Sequence, residues 1–393
     1  MDALFHPADW QPLNRPEPRI AEFPQRPVVR LGVIGGALRS AVGRTHFAAA
    51  QMDGSFRIDA GCFSRDPREN ARTGDYLRIP AERQFSAPGD LVAAASDLDA
   101  ILILTPTPDH PAQVRMAMEA GLPVISEKAL TTNVEDCVEL RGVQANTGQS
   151  LNVTYNYSGY PFVRELRARV LRGDLGRILK AVIEMPQEGF LRHDLHGQPM
   201  LPQAWRLVDG EIPTVSLDLG VHCHHLLQFL TDKPLTPEWA RQTSLGNFPE
   251  VIDDVECAGS LGTDGLFSMW YGKAALGHRN GLRVRLYGSE GSAVWYQATP
   301  DELQLHSRSG QAHSLDFGSP DLLVANQPRY MRFKAGHPTG FIEAFANLYD
   351  DLAGYLTGVP MPASDTAYVP TLADAEQGLR FLHKVNHLAS AMN

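Results

Sequence analysis

Cysteine is scarce in this chain of 393 residues, which contains four, with no CxxC pair and no regular spacing between them. This scarcity disfavours a disulfide framework or a structural zinc site, and we expect reduced thiols in a cytoplasmic protein. Basic residues are also in deficit, because 35 Lys and Arg stand against 45 Asp and Glu and give a formal net charge of −10. Such a charge repels nucleic acid phosphates and anionic membrane surfaces, so neither is an expected partner.

Long apolar runs are missing as well. No stretch has the length of a membrane span, and the first residues lack the apolar segment of a signal peptide, so the sequence predicts neither insertion nor export. Proline is concentrated at the beginning of the chain, in residues 1–27. Because each proline removes a backbone donor and restrains its neighbour, we predict an N-terminal arm without regular structure over residues 1–27.

Short apolar runs characterise the next part of the chain. They stand at 28–34, 56–63, 100–104 and 123–126, and helix-like segments separate them. This alternation predicts crossover units and an α/β domain with a parallel sheet covered on both faces, which we place at residues 28–150. In such sheets ligands bind at the carboxyl ends of the strands.

Beyond residue 150 the strand-like runs follow one another without helices between most of them. They stand at 180–185, 255–262, 265–271, 281–288 and 292–297, and turn signals such as Asp264-Gly265 join them. Helical periodicity appears at 163–172 and 340–356. We predict an α+β domain over 151–365 with an open, mostly antiparallel sheet and helices on one face, followed by a C-terminal helix within 366–393.

Gly35, Gly36 and Gly43 follow the first strand. Small residues let the backbone approach a pyrophosphate, and the next helix directs N–H groups and a positive dipole toward it. The spacing departs from GxGxxG, because Ala37 replaces a glycine and five residues separate it from Gly43. A plain turn is the alternative, and the strand, turn and helix context favours a Rossmann dinucleotide-binding domain.

The end of the second strand bears on the choice between NAD and NADP. A carboxylate there binds the ribose 2′-hydroxyl of NAD and repels a 2′-phosphate. Here the strand is followed by Ser64 and Arg65, which leaves room for a phosphate and offers it a cation, so NADP is plausible. The alternative is that Arg65 is a solvated surface charge and Asp66 serves the ribose.

Acid/base chemistry is indicated by Asp218, His222 and His225, which stand at i, i+4 and i+7 and would share one helix face. Imidazole titrates near neutral pH, a carboxylate orients it, and an amine such as Lys128 supplies positive charge, which together can move protons on hydroxyl and carbonyl oxygens. Cys223 would suggest zinc beside these histidines, but adjacent helix residues point in divergent directions, so no metal site is predicted.

Five motifs follow one another along the chain: Thr105-Pro106 with Asp109-His110, Glu127-Lys128, Asn156-Tyr157, Trp205-Arg206 and Asp218-x-Gly220-x-His222. In this order they resemble the Gfo/Idh/MocA oxidoreductases, which include glucose-fructose oxidoreductase and inositol dehydrogenase. The resemblance extends from Leu31 to near the carboxyl end.

The resemblance implies a catalytic role for Lys128 near the nicotinamide, for Asp218 as holder of a substrate hydroxyl and for His222 as general base. It implies cofactor contacts for Thr105, Pro106, His110, Glu127 and Lys128. The residues that would bind substrate are Lys128, Asn156, Tyr157, Arg206, Asp218, His222 and His225. The chain departs from the family at Ala129, which replaces the proline of the EKP motif, and at His225, where many relatives have aspartate.

The sequence therefore predicts an NAD(P)-dependent dehydrogenase that transfers hydride between the cofactor and a hydroxyl or ketone of a sugar, a sugar derivative or a cyclitol. One alternative is glycoside or ether cleavage through transient oxidation with retained NAD. The other is a catalytically silent, nucleotide-sensing regulatory protein.

A homo-oligomer is the expected assembly. An open sheet with helices on one face leaves its other face uncovered, and the runs 266–271 and 293–296 place aromatic residues on both faces. The resemblance implies sheet-to-sheet pairing, so we predict a homodimer, or a homotetramer of two such dimers, through the C-terminal sheet. The competing prediction is that the arm covers this face within one subunit.

Overall fold

A computed structural model describes residues 26–359 and 367–391 of the chain. Most of the predicted arm, residues 1–25, lies outside the described residues. Its end is anchored, because Arg26 is buried and forms an ion pair with Asp350 at 2.7 Å.

The first five strands form one parallel sheet in the order β2-β1-β3-β4-β5, which confirms the predicted Rossmann-like fold. Every residue of the central β3 is buried, because helices cover both faces of such a sheet. The strands are β1 (Val29–Gly35), β2 (Phe56–Cys62), β3 (Ala100–Leu104), β4 (Val124–Ser126) and β5 (Leu151–Val153). The helices between them are α1 (Ala41–Gln51), α2 (Pro67–Tyr76), α3 (Pro88–Ala93), α4 (His110–Glu119) and α5 (Val134–Thr147).

Local signals in the sequence set the ends of these helices. Asp66 caps α2 by accepting a hydrogen bond from the Arg68 backbone at 2.9 Å, and Pro67 occupies the first turn, where its missing N–H costs nothing. At the far end of α5 the chain turns through Gly148 with φ +69°, a conformation that glycine adopts without steric cost.

A second sheet of eight strands has the order β13-β12-β11-β10-β6-β9-β8-β7. It is mostly antiparallel, as predicted, but β6 and β9 at its centre run parallel. Its strands are β6 (Ile178–Pro186), β7 (Leu235–Thr243), β8 (Asp254–Leu261), β9 (Gly265–Gly272), β10 (Arg283–Gly288), β11 (Gly291–Tyr296), β12 (Leu303–Ser307) and β13 (Ala312–Leu315). Alternation is clear in β9, where Phe267, Met269 and Tyr271 are buried and the intervening side chains are more exposed.

Four more helices complete the described part of the chain. They are α6 (Pro161–Arg172), α7 (Val221–Thr231), α8 (Phe341–Thr357) and α9 (Leu372–Ser390). Helix α7 packs against α6 and β6, and α9 packs against both α5 and β7. The predicted domain boundaries at residues 150 and 365 stay predictions.

The position of α8 corrects one expectation. Its sequence predicts a helix for the second sheet, but the helix packs against α1 and β1 of the first sheet. Leu348 and Leu352 share one apolar core with Leu31 and Phe47. An apolar helix face shows that the helix is buried on one side, but not which sheet buries it.

Within the described residues, none of the helices combines the length and the apolar character needed to cross a bilayer.

Candidate active site

The turn after β1 has the backbone that a bound pyrophosphate requires. Gly35 and Gly36 have φ +83° and +73°, and a Cβ on either would come within 2.8 Å of β3 or the residue after it. Ser40 begins α1 and accepts a hydrogen bond from Gly43 N at 3.2 Å. The open backbone and the adjacent helix N-terminus therefore fit the phosphates of a dinucleotide.

Gly43, the third glycine of the predicted turn, packs against Gly36. A Cβ on Gly43 would lie 2.0 Å from the carbonyl oxygen of Gly36, so the residue lets α1 pack directly against the turn. It does not border the cleft that the turn encloses. The last glycine of a dinucleotide turn commonly serves this close packing between helix and strand.

A cleft of about 850 Å³ extends along the carboxyl edge of the first sheet. This is the edge at which parallel α/β sheets bind ligands. The predicted site residues that border it are Gly35, Gly36, Ser64, Arg65, Thr105, Pro106, Glu127, Lys128, Arg206 and Asp218. The cleft therefore brings together most of the predicted cofactor contacts and two of the three predicted catalytic residues.

One end of the cleft is formed by the segment after β2. Ser64, Arg65 and Asp66 all border it. The Arg65 guanidinium is largely exposed and lies 2.9 Å from Asp109, while the Asp66 carboxylate is engaged as the cap of α2. At this end of the cleft the Arg65 guanidinium is therefore open to solvent, while Asp66 serves as a helix cap.

His110 lies beneath the cleft and does not border it. Its ring nitrogens lie 2.8 Å from the Thr105 carbonyl oxygen and 3.0 Å from that of Ala129. Burial lowers the pKa of this imidazole. The residue therefore connects the turns after β3 and β4, and it reaches the predicted cofactor site only through them.

Lys128 follows β4, and its peptide bond to Ala129 is cis. Its Nζ donates hydrogen bonds to two oxygens of Asp218, the carbonyl oxygen at 2.9 Å and Oδ1 at 3.1 Å. An ammonium group has three donors, so one N–H remains for a ligand.

The Asp218 carboxylate receives two further cations. Arg206 pairs with Oδ2, and Lys273 Nζ lies 2.6 Å from the same oxygen. Burial by itself would raise the pKa of Asp218, but Lys273, Lys128 and Arg206 outweigh it and hold the pKa well below its usual range. Burial also lowers the pKa of the Lys273 ammonium.

Lys273 was missed by the sequence analysis. It follows β9 directly, no motif surrounds it, and its distance from Asp218 in the chain gives no sign that the two meet. The one available signal is a lysine at the end of an otherwise apolar strand.

His222 borders a smaller cavity of about 150 Å³, together with Lys128, Asp218, Asn156 and Tyr157. Its ring packs edge-on to Tyr157 at 4.8 Å, and its Nδ1 is buried without a hydrogen-bond partner among the described residues. Burial, with the nearby Lys128 charge, lowers the pKa of His222 well below its usual value. The imidazole is therefore neutral at neutral pH and able to accept a proton.

Asn156 and Tyr157 offer hydrogen bonds to a ligand in the small cavity. Asn156 is almost fully buried, and its Nδ2 has no partner in the described part of the chain. The Tyr157 hydroxyl accepts a hydrogen bond from Asn280 at 2.8 Å. A buried amide without a partner costs free energy unless a ligand or water satisfies it.

His225 is not brought to either cavity. Its ring stacks on Tyr155 at 4.2 Å, and Nε2 lies 3.1 Å from the Tyr368 hydroxyl. The expected i, i+4, i+7 face is interrupted because Asp218 lies in a π-helical turn, Ser216–Gly220, in which each residue advances by a smaller angle than in an α-helix. His225 therefore joins an aromatic cluster behind the site.

Known proteins share this architecture. Residues 29–155 match the family model described as "Oxidoreductase family, NAD-binding Rossmann fold", and residues 163–294 match the GFO/IDH/MocA C-terminal domain. The uncharacterized oxidoreductase YfiI of Bacillus subtilis is 28% identical over 334 residues, which span 82% of this chain and 84% of that protein.

Two further similarities involve inositol dehydrogenases. The inositol 2-dehydrogenase of Rhodococcus erythropolis is 29% identical over 181 residues, 46% of this chain and 47% of that enzyme. The crystal structure of an inositol dehydrogenase homolog from Azotobacter vinelandii, complexed with NAD⁺, has a TM-score of 0.82 at 25% identity and covers 93% of this chain and 96% of that chain.

The close packing at Gly43 can be tested by adding one methyl group. We expect Gly43→Ala to weaken NAD binding by about tenfold or more, because the Cβ would displace the Gly36 carbonyl and deform the turn. Calorimetric titration with NAD measures this loss. Gly142→Ala is the matched control: it lies inside α5 with open space around its Cβ, so it should leave binding unchanged and stabilise the helix by about 1 kcal/mol. Equal NAD affinity in both variants would contradict the assigned role of Gly43.

Proposed function

The chain belongs to the Gfo/Idh/MocA oxidoreductase family and carries its NAD-binding Rossmann domain, and we propose that it is a dehydrogenase that oxidises a hydroxyl group of a sugar, a sugar derivative or a cyclitol. One observation carries this proposal. Lys128, Asp218 and a neutral His222 meet at a small cavity that adjoins the dinucleotide cleft. The similarity to inositol dehydrogenases supports a polyol as substrate.

The chemistry divides among these three side chains. NAD, when bound, supplies the hydride acceptor. The free N–H of Lys128 donates to the substrate hydroxyl oxygen and lowers the pKa of that hydroxyl. His222 takes the proton, because its depressed pKa leaves the imidazole unprotonated at neutral pH. Asp218 positions the Lys128 ammonium through two hydrogen bonds.

Substrate recognition falls to the polar wall of the small cavity. Asn156 offers a buried amide Nδ2 without a partner among the described residues, and a second hydroxyl of a polyol would satisfy it. Arg206 and Tyr157 complete the proposed substrate contacts. His225 is not included, because its ring lies within the aromatic cluster. Cleavage with retained NAD and nucleotide sensing stay predictions without an observation in their favour.

The proton-transfer roles can be tested by substitution. We expect Lys128→Ala and His222→Ala to lower kcat/KM by about two decades or more while the chain stays folded. Activity is measured with the substrate found by screening sugars and cyclitols, after a thermal-shift panel with NAD, NADP and their reduced forms. Lys233→Ala and His383→Ala remove the same side-chain types from the surface and serve as controls.

The wild-type pH profile adds a further check: because the pKa of His222 is lowered, kcat/KM should be retained as the pH falls through 6.5. An active double variant, or an acid limb at pH 6.5, would refute the assignment.

The choice between NADP and NAD can also be tested by substitution. We propose that Ser64 and Arg65 leave room for a 2′-phosphate, so that the site accepts NADP as well as NAD. Ser64→Asp is expected to shift preference toward NAD, and Arg65→Ala is expected to weaken NADP more than NAD. Dissociation constants of both cofactors for both variants measure the shift. If neither substitution changes the NADP to NAD ratio, the discriminating residues lie elsewhere, with Asp66 first.

We also propose that the protein is a homodimer, or a tetramer of two such dimers, through the second sheet. The face of that sheet opposite its apolar core presents partly or fully exposed apolar side chains, among them Leu266, Trp270, Tyr287 and Tyr296. A second copy that buried this face would remove them from water.

Light scattering on the full chain and on a chain lacking residues 1–27 tests this assembly. We expect a dimer or a tetramer in both cases, and a monomer when Leu266→Asp is combined with Tyr287→Lys. A full-length monomer at micromolar concentration would contradict the proposal. If only the chain lacking residues 1–27 is a monomer, the arm binds the neighbouring subunit.

A further inference from the structure

Glu127 occupies the junction between the two cavities. It follows β4, and it borders both the dinucleotide cleft and the small cavity that contains His222. Its side chain is nearly buried, so its charge is poorly screened by water. A charge at this junction acts on whatever part of a ligand spans the two cavities.

Two side chains hold the carboxylate directly, and a third supports it through His46. Oε1 lies 2.9 Å from Nε2 of His46 on α1, and the Thr154 hydroxyl donates to the same oxygen. On the other side of the imidazole, Nδ1 lies 2.6 Å from the hydroxyl of Tyr349 on α8. Within this chain of contacts, the Nε2–H of His46 donates to the Glu127 carboxylate, and Nδ1 pairs with the Tyr349 hydroxyl.

Glu127 is ionised in this environment. Burial would raise the pKa of its carboxyl, but the hydrogen bond and the electrostatic interaction with His46, the Lys128 charge and the Thr154 hydroxyl outweigh burial and lower it. The adjacent Lys128 does not pair with Glu127, because its ammonium is bound to two oxygens of Asp218.

The sheet order places the nicotinamide half of the cofactor on the Glu127 side. The adenosine half of a dinucleotide lies over the end of β2, and its pyrophosphate lies at the turn after β1. The other half must then extend toward β3 and β4, whose ends carry Thr105 and Glu127. The oxidised nicotinamide ring carries one positive charge, and the reduced ring carries none.

We propose that the Glu127 carboxylate makes the cleft bind NAD⁺ in preference to NADH. The negative charge attracts the oxidised ring and gains nothing from the reduced one, so product release is favoured after hydride transfer. By the thermodynamic cycle, the ratio of the two dissociation constants also sets the difference in reduction potential between the bound and the free NAD⁺/NADH couple. The inference depends on dinucleotide binding alone, and it holds whichever substrate the enzyme oxidises.

Glu127→Gln provides the test, because it removes the charge and keeps the shape and an acceptor oxygen. Dissociation constants for NAD⁺ and NADH are measured by calorimetry without substrate. We expect the ratio Kd(NADH)/Kd(NAD⁺) to fall about tenfold, chiefly through weaker NAD⁺ binding. Because no turnover is measured, failure of the proposed dehydrogenase activity would not affect this result.

Two controls separate charge from structure. Thr154→Val removes a donor from the same carboxylate but leaves its charge, and Glu376→Gln neutralises a buried carboxylate that borders neither cavity. Both should keep the wild-type ratio. An unchanged ratio in folded Glu127→Gln, or an equal fall in Thr154→Val, would overturn the proposal.

His46→Phe provides a second route if Glu127→Gln does not fold. It withdraws a donor from Glu127 and keeps a ring against Phe345, which lies 4.6 Å from the imidazole. The pKa of Glu127 should then rise, and the ratio should fall as the pH is lowered and the carboxylate takes up a proton. The other acidic and imidazole groups at the small cavity, Asp218 and His222, have pKa values well below their usual ranges. A ratio that does not change with pH in this variant would overturn the proposal.

Discussion

Three cationic side chains converge on the Asp218 carboxylate, and each comes from a different part of the chain. Lys128 follows a strand of the first sheet, Lys273 follows a strand of the second, and Arg206 belongs to the loop before the π-helical turn. A buried carboxylate is costly unless it is paired, and once paired it requires its partners to stay in place. The Asp218 cluster therefore ties the ends of strands from both sheets together at the site where the chemistry is proposed.

The same cluster controls the protonation of its neighbour. The Lys128 charge adds to burial in keeping His222 neutral, while Asp218 opposes both. A base that stays unprotonated and an ammonium with a free donor can then face one hydroxyl group. Electrostatics, rather than proximity alone, makes the cavity suited to removing a proton.

A second link connects the cofactor turn with the proposed catalytic lysine. Helix α1 begins at the glycine turn and carries His46, which contacts Glu127 beside Lys128, and α8 supports the imidazole through Tyr349. This contact adds to the apolar packing of α8 on the first sheet. The helix buries apolar residues there, and it also completes the hydrogen bonds of a buried histidine.

Periodicity and spacing were sufficient to predict the two sheets, the glycine turn and the meeting of Lys128, Asp218 and His222. These features depend on local patterns: alternation for strands, glycine where φ is positive, and short motifs after strands whose ends share one edge. Tertiary structure alone decided the rest. Lys273 meets Asp218 from the end of β9, which pairs in parallel with β6, and the π-helical turn that contains Asp218 breaks the α-helical register between Asp218 and His225. Such outcomes arise from contacts between distant segments and from hydrogen-bond registers, which no local pattern of residues encodes.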